Sequence, residues 1–585
     1  MKTVKRCIIG IAIAMPIVAG ISSPLASAQS PQRTASVRIA LNGFENNITP
    51  FTVSFGATPN THDLLNLVFD TLFWSQVKEN PDPWLADSAV PSADFKVWTV
   101  KLHPGVVWQD GVPFTAEDVK FSFDYYLKQP GASGRYAHHV SDTPPYDHAE
   151  VVDPLTVKFF YRAPAPTFKV LPGADLPIIS KHQFEGIADP AKATTMLPIG
   201  TGPFKVTSIQ PDVRYILTAN DQYFKGKPTV GELELLIVPN PLAAFGALLN
   251  GEVDMVTRNL QPELAKQLEG NPSLRVIKGS KFESTQIFFN TRQAPLNDAR
   301  VRKAMSLAID NDELVSTVLL GRGRPGVDSF IHPDSPWALK GATHEHDVSR
   351  AKKMLDEAGY LASGDGVRRN ADGKKLEFTV LVSAVETTDI RTLSLVGRQL
   401  QQIGVKLSPE LLDLATIRAR RNAVPPNFDA YMSTLETHAH VDPDSLYYFF
   451  HTPGTKGFGG AISGYSNATF DALVEAATDK DFIDRKAILA DAQKFLAQEV
   501  PVIAFYYRAG EYVVRPAAYN GWVADPGHGI FTKRSFIPAQ TVAPSPTTVP
   551  ATTLVNVVAP VTTKPKATTA KTIKKLATRT TTKSS

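Results

Sequence analysis

Cysteine is almost missing from this chain: Cys7 is the only one in 585 residues. It opens the apolar run Cys7 to Ile21 instead of following it, so it is not the lipid-bearing cysteine of a bacterial lipoprotein. Lys2, Lys5 and Arg6 precede that run, and Ala26-Ser27-Ala28 ends it as a small-x-small cleavage site. Residues 1–28 therefore read as a secretory signal peptide and the mature chain as starting at Gln29. That mature chain has neither disulfides nor thiol chemistry, although it leaves the cytoplasm. Long hydrophobic runs are missing as well: nothing beyond the leader approaches the roughly 20 apolar residues that span a bilayer. Acidic residues are absent from both ends. The leader holds three basic residues and Thr541 to Ser585 holds seven, so the +4 of the whole chain leaves a body at −6. The basic balance belongs to the ends, so it does not imply a nucleic-acid-binding fold. There is no H-E-x-x-H, no G-x-S-x-G and no G-x4-G-K-S/T, so zinc protease, serine hydrolase and phosphate-loop chemistry have no carrier. No cofactor is expected.

What is present is an ordinary globular composition, 43% hydrophobic and 20% charged, in a chain too long for a single core. Strands and helices alternate, which predicts α/β lobes with covered sheets. A strand from about Phe95 to Leu102 leads to an Asp110-Gly111 turn. Thr115 and Asp118 then form a capping box for a helix with Val119, Phe123, Tyr126 and Leu127 on its inner face. Asn240 caps another helix, with Pro241 in its first turn, Leu242, Phe245, Leu248 and Leu249 as its apolar face and Gly251 as its stop. Asn297 or Asp298 caps a third and Asp347 a fourth. Leu393, Val396, Leu400 and Ile403 mark a helix closed by Gly404, and Ile488 to Leu496 a last long one that ends before Pro501. His138, His139, His344 and His346 lie in polar, Gly/Pro-flanked stretches and read as solvated. From about Pro538 the chain is Thr, Pro, Ala and Lys, which cannot bury enough surface to offset its ordering entropy; a disordered tail is expected over 538–585.

Five strings in order resemble one family. They are Trp108 to Val119 (W-x-D-G-x-P-F-T-A-E-D-V), Gly200-Thr201-Gly202-Pro203-Phe204, Phe289-Asn290 through Asp310, Arg350 to Tyr360, and Asp442-Pro443 through Leu473. On these the chain resembles the extracytoplasmic solute-binding protein family 5 of ABC importers, the peptide- and nickel-binding class, from about Val37 to Phe536. The resemblance implies a two-lobed clamshell of the periplasmic-binding-protein type (type II, cluster C) with an extra subdomain in lobe I. The expected order is lobe I over 29–74, the inserted subdomain over 75–197, lobe I again over 198–287, lobe II over 288–502 and the return to lobe I over 503–537. The crossings are expected near Phe282 to Asn290 and Pro501 to Tyr507, both rich in large apolar residues.

The same resemblance implies a non-enzymatic monomer in the periplasmic or cell-envelope space. It would take a peptide or peptide-like solute between the lobes and deliver it to an ABC permease in the membrane. Phe44, Glu45 and Asn46 follow the first strand and are expected at the cleft, facing Glu436, Thr437, His438, His440 and Asp442. Peptide-binding members carry an aspartate three residues before the acidic-Pro pair; here the pair is Asp442-Pro443 and Ala439 stands in that place, so an amine would be held from elsewhere, with Glu436 as candidate. His438 and His440 fit an anionic ligand or a metal chelate, but two histidines at i, i+2 are not a metal site by themselves. Binding of metal chelates or glycosides, or an envelope scaffold or sensor that attaches through the basic tail to anionic polymers, are the alternatives.

Overall fold

A computed structural model describes residues 33–539 except 44–47, 53–58, 75–76, 78–79, 129–135, 137, 142–144, 191–192, 194–195, 424, 436–443, 453–462 and 479–481. Two large sheets organise the molecule. The first has seven strands in the order Arg275–Lys278, Glu511–Val514, Met255–Val256, Thr34–Leu41, Val230–Ile237, Arg214–Ala219 and Phe204–Gln210. The second has six, in the order Gly323–Pro325, Val502–Arg508, Ser284–Phe289, Ala430–Leu435, Glu377–Ser383 and Lys406–Leu412. A four-stranded antiparallel sheet, Ala86–Pro91, Val97–Leu102, Thr156–Tyr161 and Tyr146–Asp153, lies within the expected insertion and shares one continuous core with the first large sheet. The second sheet has cores on both faces, which bury the central strand Ser284–Phe289 completely.

The two crossings are short. The chain leaves the first sheet after Lys278 and joins the second at Ser284; it leaves the second after Arg508 and rejoins the first at Glu511. This corrects the expected boundaries. Ser284–Phe289 and Val502–Arg508 are not connectors: they pair with each other inside the second sheet, Ser284 with Tyr507 and Ile287 with Ile503. All six strands of the second sheet thus fall within 284–508. Apolar runs of this kind suit a buried connector and a central strand equally well, and only the pairing tells them apart.

Local signals hold at most helix ends. Asn240 accepts from the Ala243 N–H at 3.0 Å and Gly251 closes the helix Pro241–Asn250 with φ 78°. Asp298 and Asp347 cap theirs. Leu242 departs from the expected stripe: it is 53% exposed, and Ala244 is buried in its stead. At the helix Ala116–Lys128 only one half of the capping box forms through side chains. Asp118 Oδ2 accepts from the Thr115 N–H at 3.0 Å, while its other oxygen accepts from Lys181 N–H at 3.1 Å and ties the helix to the next segment.

Two of the five strings interlock. Gln109 accepts from the Gly200 N–H and donates to the carbonyls of Gly202 and Phe204. Gly200 lies so close to the end of the helix Pro59–Val68 that a Cβ would sit 1.8 Å from the Val68 carbonyl oxygen, so no other residue fits. Thr201 Oγ1 donates to Asp70 at 3.0 Å. These strings build the joint between lobe I and its insertion.

Two histidines expected in solvent are buried. His139 Nε2 lies 2.7 Å from the fully buried Asp175 carboxylate, against which His62 also packs at 3.4 Å. His344 sits between Asp328 at 2.6 Å and the Ile309 carbonyl at 2.8 Å. Burial opposes its charged form, but the Asp328 carboxylate outweighs it, so His344 is held above the ordinary histidine range. A histidine paired to a carboxylate passes as a polar loop residue in sequence, which is why the pattern misled. His346 remains substantially exposed.

Candidate functional site

The strand ends of the two sheets meet across the crossings. In lobe I the ends of Thr34–Leu41 and Met255–Val256 lie side by side. Asn60 fixes them: its Oδ1 accepts from the Asn42 N–H at 3.1 Å and from Thr257 Oγ1 at 3.3 Å. In lobe II, Leu435 pairs with Ser284, so the end of Ala430–Leu435 lies beside the crossing. The segments that carry the expected ligand contacts leave from these ends. Phe44, Glu45, Asn46, Glu436, Thr437, His438, His440 and Asp442 themselves lie outside the described residues.

Between the lobes runs a polar seam that sequence reasoning missed. The lobe I stretch after Met255–Val256 meets the first turns of the lobe II helix Thr387–Gln401 at three points. Arg258 Nη1 binds Glu386 Oε1 at 2.5 Å, and the two side chains are 8% and 22% exposed. Thr388 Oγ1 donates to Gln261 Oε1 at 3.1 Å, both residues buried. Arg391 pairs with Glu263. Beneath this seam, Arg508 at the end of its strand binds Asp389 at 3.1 Å, Asn259 donates to Glu283 on the first crossing, and Lys281 pairs with Asp63 at 2.5 Å.

The electrostatics follow from burial. Burial pushes the Asp389 carboxyl up to about 6, because nearby Glu386 adds to the desolvation and outweighs the relief from Arg508 and Arg258. Burial likewise raises Glu283, against the attraction of Arg508 and Lys281. Arg508 loses hydration, but Tyr506, Asp389, Glu283 and Glu386 around it more than restore its charged form. None of these residues forms a periodic pattern; Arg258 and Glu386 are 128 positions apart. The only hint in the sequence is a charged residue just past a strand end on each side.

Outside the seam, both lobes contribute to a cavity of about 670 Å³ at the crossing, lined by Lys278, Ser280, Arg322, Arg324, Asp334 and Glu511 among others. Its charges are paired: Arg322 with Glu511 at 2.6 Å and with Glu269 at 2.7 Å, and Arg324 with Asp334 at 2.9 Å. Among the described residues no group of three or more His, Cys, Asp or Glu could hold a metal ion. None of their helices is long and apolar enough to cross a membrane.

Two lobes joined by two short crossings, with polar groups of each meeting those of the other, define a binding protein of the hinged, two-lobed class. The pattern of the bacterial extracellular solute-binding proteins, family 5 (Middle), matches residues 80–457, and the chain belongs to that family. It is 25% identical over 523 residues to the oligopeptide-binding protein AppA of Bacillus subtilis (strain 168), covering 87% of this chain and 93% of that protein. It is 25% identical over 410 residues to the nickel-binding periplasmic protein of Escherichia coli (strain K12), covering 66% of this chain and 76% of that protein. The solved structure of Bacillus subtilis AppA in complex with a nonapeptide superposes with a TM-score of 0.75 at 23% identity, over 87% of this chain and 100% of that one. The chain is thus an extracellular solute-binding protein, in a family of binders and not of enzymes.

Proposed function

We propose that this protein is the exported, monomeric solute-binding component of an ABC-type importer, and that it captures a peptide or peptide-like solute by hinge closure. The observation that supports this most is the seam itself. Arg258–Glu386 and Gln261–Thr388 join lobes that share only two short crossings. A solute touching both lobes favours the form in which such contacts are made. A shift from 1:99 to 99:1 requires the solute to prefer the closed form by about 5.5 kcal/mol. The closed form is what the permease would recognise, and the solute leaves unaltered. The peptide assignment leans on the oligopeptide-binding relative, and the free-amine anchor is missing at Ala439. Expected at the solute are Phe44, Glu45, Asn46, Glu436, Thr437, His438, His440 and Asp442.

The test is native mass spectrometry of protein purified from its own host, expected to show a bound species of peptide mass. A nickel- or iron-containing adduct, lost in the variant with His438 and His440 both replaced by alanine, would instead establish a metal chelate as the solute; the nickel-binding relative supports this second reading. For the tail, seven cationic side chains and no carboxylate from Thr541 onward favour a salt-sensitive hold on anionic envelope polymers. Protein truncated at residue 539 should leave the envelope fraction at low salt; retention equal to the full chain would rule this out.

A further inference from the structure

Asn60 stands where several backbone ends converge. The strands Thr34–Leu41, Val230–Ile237 and Met255–Val256 run parallel in the first sheet, so their carboxyl ends share one edge. Asn42 and Thr257 follow two of these ends directly, and Asn60, the second residue of the helix Pro59–Val68, bonds to both. The helix thus begins at the carboxyl ends of parallel strands, the edge at which α/β sheets take their ligands. The first N–H groups of a helix have no acceptor within it, and that positive end favours an electron-rich oxygen.

The Asn60 side chain adds a donor of its own. Asn42 presents a backbone N–H at 3.1 Å, which fixes the atom facing it as oxygen. The other end of the amide, Nδ2, is therefore an NH2 group. The residue is 1% exposed, and Nδ2 has no hydrogen-bond partner among the described residues. A buried donor left unpaired is costly, and such groups are nearly always satisfied. The position is beside the hinge. Asp63, three residues on from Asn60, pairs with Lys281 of the first crossing. Asn259, two residues on from Thr257, donates to Glu283 of the same crossing.

We propose that Asn60 Nδ2 is a solute contact, which donates to an acyl oxygen of the captured solute, either a backbone carbonyl or a carboxylate, at the N-terminus of the helix Pro59–Val68. This deepens the peptide reading and rests on it. The solute enters while the lobes are apart, and closure leaves the bond in a gap without water, where it is stronger. The anchor then lies on the acceptor groups of the solute, in a chain whose amine anchor is missing at Ala439.

Asn60→Asp separates binding from structure. Its carboxylate keeps an oxygen for the Asn42 N–H and the Thr257 hydroxyl and removes only the donor. Asn60→Ala, which adds no charge, is the second variant, and circular dichroism and thermal unfolding confirm the native fold of both. The probes are two pools: tryptic peptides of lysozyme, and the same peptides with every carboxylate methyl-esterified. Retention over a dilution series is read by native mass spectrometry. The wild type should retain peptides, and both variants should lose at least about tenfold in affinity for them. Equal retention of the esterified pool by the wild type assigns the oxygen to a backbone carbonyl; loss of that pool alone assigns it to a carboxylate. Natively folded variants that hold the peptides as tightly as wild type would show that Nδ2 serves water only, which overturns the proposal and leaves the peptide reading intact. A wild type that retains neither pool would overturn both.

Discussion

Lys533→Met will destabilise the first lobe by about 3–5 kcal/mol, because it leaves a buried carboxylate with no counter-charge. Lys533 and Asp70 are both fully buried and pair directly. The ammonium also donates to the Phe69 carbonyl and lies 4.7 Å above the Trp74 ring and 5.3 Å above the Trp84 ring. Asp70 accepts from Trp84 Nε1 at 2.7 Å, Tyr223 OH at 3.1 Å and Thr201 Oγ1 at 3.0 Å. Neutral donors do not replace the missing positive charge. Urea unfolding followed by tryptophan fluorescence reads the effect, since two of the reporting indoles form the walls of the site. The double variant Lys533→Met, Asp70→Asn should recover most of the loss, as replacing both members of a buried pair removes the enclosed charge as well. A single variant as stable as wild type would mean that water reaches the carboxylate.

Arg258→Ala will open the protein without unfolding it. Arg258 holds Glu386 on the opposite lobe and the Pro239 carbonyl on its own. Its loss leaves Glu386 without its cross-lobe partner, while Arg391 stays paired with Glu263. A mostly buried pair broken on one side costs about 3 kcal/mol, here charged to the closed form alone, so affinity for the co-purified solute should fall roughly 100-fold. Calorimetric titration measures that loss, and scattering should show a larger radius of gyration at pH 7.5. Thermal unfolding should move little, since neither lobe's core contains Arg258. Unchanged affinity would show that the seam is made equally in both forms.

The sequence carried the architecture through short-range rules. Asn240, Asp298 and Asp347 sit where capping chemistry puts them, and Gly251, Gly359 and Gly404 all have positive φ at helix stops. It carried the family through strings such as Trp108 to Val119, which prove to be joints of the scaffold. What failed depended on distant partners. The crossings were displaced because Ser284–Phe289 and Val502–Arg508 owe their burial to each other. His139 and His344 were assigned to solvent because Asp175 and Asp328 could not be foreseen as their partners. The seam was invisible for the same reason: Arg258, Glu386, Asp389 and Arg508 have meaning only once the lobes meet.

One consequence concerns how the molecule can be taken apart. Lobe II is a single uninterrupted stretch, and its first and last strands are neighbours, with Ser284 opposite Tyr507. Its two ends therefore emerge side by side. The ends of 284–508 could therefore be joined by a short linker and the chain reopened elsewhere without stretching any strand. A fluorescent protein spliced at that junction would sit beside both crossings between the sheets, which makes it a natural place for a sensor of whatever solute the protein carries.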